Sequence, residues 1–552
     1  MSTDSAPATP PPASSAESPW RADILSGFLV FLIALPLCLG IARASGFPVL
    51  SGLITAIIGG IVVTFLGGAP MTIKGPAAGL IVIAVGCIST LTAEASAAGL
   101  DGTAASLQGY RWALAVITVA GAIQAVMGAA KAGKLGDFFP TSVVHGMLAA
   151  IGIIIIAKQA HVMVGISMPP TMEPFELIAM IPHSLANMNT TAAIIAAVSL
   201  AILYGWLFIP SKAIKRIPAP LVVLLVAVPL GYFLNISAVT DHTDEATAVH
   251  YGNGLVTIAG SLLSAITFPD FSHLMTYTSG YYILMFVAVG SIESLLSAKA
   301  IEQLDPLRRP TDLNRDLLGV GVGNALAGML GGLPMIAEIV RSSANLNNGA
   351  KTRMANFFHG VFLLAFVAAA PQLIHLIPSA ALAAMLVYTG TRLASPQEFA
   401  KTYKIGSEQL IIFVVTLLGC VGVDLLVGVG LGILTKFIIH LINGAPFGSL
   451  FSSKPDVLVE DDTATITLHG AAIFSNYLGI KSKIAAQTAK HVVVDVRDCK
   501  LVDHTVMEHL HELERSFQDQ KRTLTVRGLD AHEAVSDHPM AARKKSAGAV
   551  PA

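Results

Sequence analysis

Residues 331–352, GGLPMIAEIVRSSANLNNGAKT, set a carboxylate (Glu338) and a guanidinium (Arg341) in a short apolar run between a Gly-Gly-Leu-Pro break and a polar Asn/Gly tail. The run reads as under three helical turns, whereas crossing a bilayer takes ~20 apolar residues. Such a half-helix is tolerated at membrane depth only where it is buried in protein or lines a wet cavity. Its N-terminus then offers unpaired N–H groups and the positive end of a helix dipole, which together form an anion site. A loop with a re-entrant structural turn is the competing reading. A second interrupted segment lies early in the chain, where Gly67-Gly68-Ala69-Pro70 precedes residues 71–86, in which a short helix opens with Gly75-Pro76. Proline at a helix start loses no hydrogen bond. Paired Gly/Pro-interrupted segments, one in each half of the chain, point to an inverted-repeat transporter with its site at the midplane. An anion would then lie between two positive helix ends.

Glu293 stands inside an otherwise apolar segment with Ser297 one turn on. An ionisable group there is costly and marks a functional site by default. A carboxylate plus a hydroxyl oxygen on one face suits a hard cation or a proton, and a structural carboxylate bonded to backbone is the alternative. Arg341 is either an anion contact or the ion-pair partner of Glu338, its i, i+3 neighbour, or of Glu293. Lys74 is expected to snorkel to the aqueous edge. His145 and Lys158 read as satisfied interior or interfacial groups, and Asp424 as the N-cap of a Gly-rich helix. Nowhere does the sequence show a nucleophile–base pair, a metal-ligand cluster or a phosphate loop, so an enzyme is not expected, and no cofactor beyond a coupling ion.

The surroundings of these residues are apolar. Of 552 residues 54% are hydrophobic and 12% charged, against about 25% charged in soluble domains. This is an integral membrane protein. The net charge of −1 implies no nucleic-acid partner, and the four cysteines lack metal or disulfide spacing. Residues 1–20 read as a disordered cytosolic tail and 21–445 as the membrane domain. Apolar segments fall near 24–43, 50–66, 76–90, 112–130, 138–157, 174–188, 190–209 and 219–234. A second set falls near 281–298, 317–330, 334–347, 356–376, 379–391, 409–425 and 427–444. Lysines and arginines at 131/134, 212–216, 299–315, 351/353 and 392–404 occupy alternate loops, whereas the polar loop from Asn235 to Gly280 has none. The positive-inside rule therefore places the basic loops and both termini in the cytosol. Residues 456–530 alternate strand and helix patterns and read as a small cytosolic α/β domain, with 531–552 a loose tail.

These features together resemble the sulfate permease (SulP) family of anion transporters with a C-terminal STAS domain. The matching pieces are ALPLCLGIA (34–42), IKGPAAGL (73–80), GSIESLLSA (290–298), GVGNALAGMLGG (321–332) and RSSANLNNGAKT (341–352). The resemblance implies an α-helical polytopic fold of about 14 segments in seven-plus-seven inverted repeats, a core domain moving against a gate domain, and a homodimer in the bacterial inner membrane. It places the anion between the third and tenth helices, facing Gly75, Pro76, Ala77, Ala78, Ile336, Ala337 and Arg341, with Pro36, Cys38 and Leu39 as the wall. Glu293 and Ser297 fall where cyanobacterial bicarbonate transporters of the family keep an Asp and a Thr that bind sodium. Leu37, Ile41 and Glu338 depart from the family, which often has Gln, Tyr and a small residue there. The expected activity is secondary-active transport of a small inorganic anion. Bicarbonate with sodium leads, sulfate with protons or sodium follows, and an uncoupled exchanger or channel is the rival. Glu293, Ser297 and Glu338 are the coupling-ion candidates. In the loop VDHT (502–505), His504 replaces the phosphorylatable Ser of bacterial STAS relatives and leaves Thr505 beside it.

Overall fold

The computed structural model describes residues 19–545 apart from 169–171, 212–213, 215–216, 237–241, 245–248, 252–253, 257–260 and 453–454. The expected N-terminal tail lies almost wholly outside these residues, as do Lys212, Lys215 and Arg216. The first half runs through α1 (Pro19–Ala44), α2 (Val49–Ile61), its one-turn continuation α3 (Val63–Leu66), β1 (Ile73–Pro76), α4 (Ile81–Ala97), α5 (Gly102–Ala129) and α6 (Thr141–Met163). It continues with β2 (Ile166–Ser167), α7 (Pro174–Ala186), α8 (Thr190–Gly205) and α9 (Ala219–Phe233). A connection holding β3 (His242–Asp244) and β4 (Val249–Tyr251) leads on. The second half comprises α10 (Tyr277–Leu304), α11 (Leu313–Leu330), β5 (Met335–Glu338), α12 (Ile339–Asn347), α13 (Met354–Ala369), α14 (Ser379–Leu393), α15 (Pro396–Ile405), α16 (Ser407–Gly422) and α17 (Leu425–Ile442). Among the described residues eight helical segments are long and apolar enough to cross a membrane.

The two halves follow the same plan. In each, a short strand followed by a helix that starts at its end sits third in order, and a short Pro-initiated helix (α7, α15) precedes the last two apolar helices. Helices α1, α2, α4, α5 and α10 to α13 pack together, with α5 against α11 and α1 against α13; α6, α8, α9, α14, α16 and α17 form the other packed set. Local chemistry sets the ends. Asp312 caps α11 by accepting from Asn314 and Arg315 N–H at 3.0 Å each, and Asp424 caps α17 through Val427 N–H at 2.9 Å, as expected. Gly331 ends α11 at φ 91°, a left-handed turn that glycine adopts without penalty.

Several expected boundaries move. α4, α5 and α10 extend beyond their apolar windows into Ala-, Gln- and Ser-containing stretches, because helix propensity outlasts hydropathy at a membrane surface. The polar connection therefore ends at Thr276, not Gly280, and it is not structureless: β2, β4 and β3 form a small antiparallel sheet.

The C-terminal unit contains β6 (Asp456–Glu460), β7 (Thr463–Thr467), β8 (Gly470–Ala472), α18 (Tyr477–Ala485), β9 (His491–Asp495), β10 (Cys499–Val502), α19 (His504–Asp519), β11 (Thr523–Arg527), β12 (His532–Ala534) and β13 (Arg543–Lys545). One sheet has the order β11-β9-β7-β6 and the other β12-β13-β10-β8, an α/β unit consistent with the expected STAS domain. The expectation of a loose tail is corrected for 531–545, where β13 pairs with β10, β12 pairs with β13, and Ala541 is fully buried; 546–552 lie outside the described residues. The unit docks through α19 and its flanks. Lys436 Nζ of α17 lies 2.7 Å from Thr505 Oγ1 and 3.3 Å from Asp503. Thr141 of α6 donates to Glu508 at 2.8 Å, and Gln303 of α10 donates to Glu512 at 2.8 Å. α19 thus touches both helix sets on the side that carries the basic loops.

Candidate functional site

The polar residues of 71–86 and 331–352 meet because β1 and β5 pair antiparallel, with Ile73 opposite Glu338, Lys74 opposite Ala337, Gly75 opposite Ile336 and Pro76 opposite Met335. This corrects the expected start of both half-helices. Residues 73–76 and 335–338 are extended, so helix begins with a 3-10 turn at Ala78 on one side and with Ile339 on the other. Pro76 fits a strand because no ladder partner requires its missing N–H. The two half-helices leave the ladder in opposite directions, with their N-termini together.

Buried side chains from neighbouring helices fix the ladder. Thr55 of α2 accepts from Leu333 N–H at 2.7 Å and donates to Leu333 C=O at 2.9 Å. Asn324 of α11 accepts from Met335 N–H at 2.6 Å and itself donates to Gln124 at 2.7 Å. Ser294 of α10 accepts from Ala337 N–H at 3.2 Å, and Ser342 accepts from Ile73 N–H at 2.8 Å. Every such bond satisfies a backbone group that the bilayer would leave unpaired.

Arg341 lies at the centre. It is 0% exposed, and none of its three guanidinium nitrogens has a hydrogen-bond partner. A Cβ on Gly75 would overlap its Nη1, so the guanidinium rests directly over that strand. Cys38 of α1 lies beside it without satisfying it. Glu293 Oε2 is likewise buried and unpaired, and its carboxylate fills the space that a Cβ on Gly79 would take. The alternative of a structural Arg341–Glu338 or Arg341–Glu293 pair is not realised: no ion pair joins Arg341 to either among the described residues. Nor do Glu338 and Arg341 share a helix face, because Glu338 is the extended N-cap residue of α12. Unpartnered buried charge is costly and asks for a ligand.

The structure therefore brings together Gly75, Pro76, Ala77, Ala78, Ile336, Ala337, Glu338, Arg341, Glu293 and Cys38. Leu39 is fully buried in the apolar cluster that also holds Cys38, Leu50 and Leu53, and Pro36 lies inside α1. Ser297 is buried one turn beyond Glu293, while Ser294 makes the contact to the ladder. No group of three or more His, Cys, Asp or Glu able to hold a metal occurs among the described residues. Lys74 is the clearest correction. Instead of snorkelling, it is 2% exposed and pairs with Asp316 at 2.7 Å. His145 is partly exposed and 3.3 Å from Glu398, whose carboxyl it holds down to about 2. His359 of α13 escapes the sequence reading. Both its ring nitrogens are buried and unpaired, and it faces Arg341. Its signal was a lone His in an apolar helix, legible only by the logic already applied to Glu293.

At the C-terminal unit, Thr505 is fully buried under Lys436. Asp503 caps α19 through Val506 N–H at 2.7 Å. Burial pushes its carboxyl up, but Lys436 and His440, helped by two backbone N–H groups, hold it net below the usual carboxylate range.

Residues 20–416 match the sulfate permease family. The chain is 26% identical over 448 residues to the bicarbonate transporter BicA of Picosynechococcus, covering 81% of this chain and 74% of BicA. It is 23% identical over 541 residues to sulfate transporter 4.1, chloroplastic, of Arabidopsis thaliana, covering 92% and 75% respectively. Its fold is similar to the solved transmembrane domain of a cyanobacterium bicarbonate transporter BicA, with a TM-score of 0.62 at 23% identity over 75% of this chain and 97% of that one.

Proposed function

Because the chain belongs to the sulfate permease family of anion transporters, we propose that it carries bicarbonate across the bacterial inner membrane by alternating access, coupled to sodium. One observation carries the site assignment: Arg341, buried and without a partner, lies where two half-helix N-termini converge. A small oxyanion supplies acceptors for its nitrogens and for the N–H groups at Ala78 and Ile339. The named activity of BicA supports bicarbonate. Sulfate, coupled to protons or sodium, is the second reading, favoured by the Arabidopsis relative. An uncoupled exchanger is the third, and the unpaired carboxylate of Glu293 argues against it, since exchange alone has no use for such a group.

The two packed helix sets supply the moving parts. A cleft lined by Arg43 and Val85 on one side and by Lys158, Ser379 and Leu386 on the other separates them, remote from the C-terminal unit. Anion and coupling ion bias the equilibrium between arrangements of these sets through unequal affinity for each. The basic loops and the α/β unit share one side, which supports cytosolic placement of both termini. The exposed edge strand β6 supports a homodimer. Counterflow in proteoliposomes with labelled bicarbonate and sulfate, with and without sodium, tests the reading. Sodium-dependent bicarbonate counterflow is expected, and absence of counterflow with either anion overturns it.

A further inference from the structure

Glu338 is the last residue of β5 and the N-cap of α12, with φ −89° and ψ 113°. Its side chain therefore leaves an extended backbone and reaches across the ladder. The carboxylate lies against the backbone N–H of Ala78, the first residue of the 3-10 turn that leads into α4. An acid carried at one half-helix N-terminus thus caps the other, and the positive ends of both dipoles converge on it. Its Oε1 is buried without a partner, as are the three guanidinium nitrogens of Arg341. The other titratable groups around it are Arg341 of α12, Glu293 of α10 and Cys38 of α1, with His359 of α13 facing Arg341. α2 contributes no charge, and the one lysine of β1 is consumed by Asp316 of α11.

An anion entering this junction meets a carboxylate already seated on the groups it needs. Two full negative charges there repel strongly in a low-dielectric site, whereas a carboxyl that has taken a proton becomes neutral and gains a donor. We propose that Glu338 is a tethered competitor of the transported anion: its carboxylate holds the junction of the two half-helices, and the anion enters by displacing it as the neutral acid. One O–H bond forms on Glu338 with a proton from solvent, no bond forms to the anion, and one proton is taken up per anion bound. This rests on the junction being the anion site.

The test is binding to the full-length protein in nanodiscs, with nitrate and sulfate as probes because neither titrates between mildly acidic and mildly alkaline pH. Wild type is expected to bind nitrate more tightly as pH falls, by up to about tenfold per pH unit. It should also take up a proton from a weakly buffered dye solution on nitrate addition. Glu338→Gln, a permanent mimic of the neutral acid, is expected to bind at least about tenfold tighter than wild type at alkaline pH, with a flat pH profile and no proton uptake. Glu94→Gln, whose carboxylate binds His273 and Thr278 away from the junction, is the control and should keep the wild-type profile. Retention of the pH dependence by Glu338→Gln, or its loss in the Glu94→Gln control, overturns the proposal. Should Glu338→Gln not fold, wild-type binding that is independent of pH with no proton uptake overturns it equally. Arg341→Ala separates the two readings: normal nitrate and sulfate binding in that variant removes the anion site itself, whereas lost binding there with an unaltered Glu338→Gln removes only the competitor.

Discussion

Gly79 and Glu293 share one volume: the place a Cβ would take on Gly79 is filled by the Glu293 carboxylate. With Glu293 in this position, the half-helix that begins at Ala78 approaches α10 because position 79 has no side chain. That approach is what sets the Glu293 carboxylate beside the start of the half-helix.

Gly79→Ala is accordingly expected to displace Glu293 or α4 and to abolish transport, with a destabilisation of ~1–3 kcal/mol. Gly430→Ala on α17, where an added Cβ meets nothing within 4 Å, is the matched control and should retain wild-type uptake and melting temperature. Equal behaviour of the two variants would refute the contact.

Arg341→Ala is expected to weaken anion binding about tenfold to about hundredfold, the loss of ~1.5–3 kcal/mol for a charged hydrogen-bonding group. Folding should survive, because no residue depends on Arg341 for a hydrogen bond. Arg341→Lys should restore little, since an ammonium lacks the planar fork. Isothermal titration of folded variants decides, and wild-type affinity in Arg341→Ala would sink the assignment.

Glu293→Gln is expected to separate binding from coupling. Anion exchange at saturating substrate should persist, while dependence on sodium or on a proton gradient falls by ~1–3 kcal/mol of coupling. Uphill accumulation with unchanged ion dependence would move the coupling role to Glu338.

The buried pair Lys74–Asp316 is expected to be structural. Lys74→Met alone should destabilise by ~3–5 kcal/mol by stranding Asp316, and Lys74→Met with Asp316→Leu should recover most of that loss. Thermal unfolding of the single and double variants checks this. A lysine serving substrate entry would instead lower transport in the double variant as well.

Docking of the C-terminal unit depends on Asp503. Its carboxyl is depressed from the ordinary value of 3.8, so its contribution is complete above that pH and is lost as pH falls below it. Asp503→Asn should remove this acid-labile term and leave Lys436 buried without its counter-charge, exposing the connection before β6 to protease at neutral pH. Unchanged proteolysis in that variant would mean that the aromatic contacts of Phe474 with Phe437, 5.1 Å apart, hold the unit by themselves.

Much of this protein was legible in its residues because membranes and helix ends impose simple rules. Hydropathy located the apolar segments but not their ends, since α5 begins at Gly102, ten residues before its apolar window; Asp424 announced a cap, and paired Gly/Pro breaks located the two half-helices. Matched sequence pieces identified the residues of the junction. The tertiary structure decided what those residues meet. Strand pairing between segments more than 250 residues apart put the expected helix opening at Gly75-Pro76, and the expected helical turn at 335–338, into a ladder, since each supplies the other's missing hydrogen bonds. That register lifts Glu338 off the face of Arg341 and sends its carboxylate to Ala78. It also separates Lys74 from water and gives it to Asp316. Local sequence sets propensity and polarity, whereas the partner of a buried charge is set by whichever distant element packs against it. For Arg341, none of those elements supplies one.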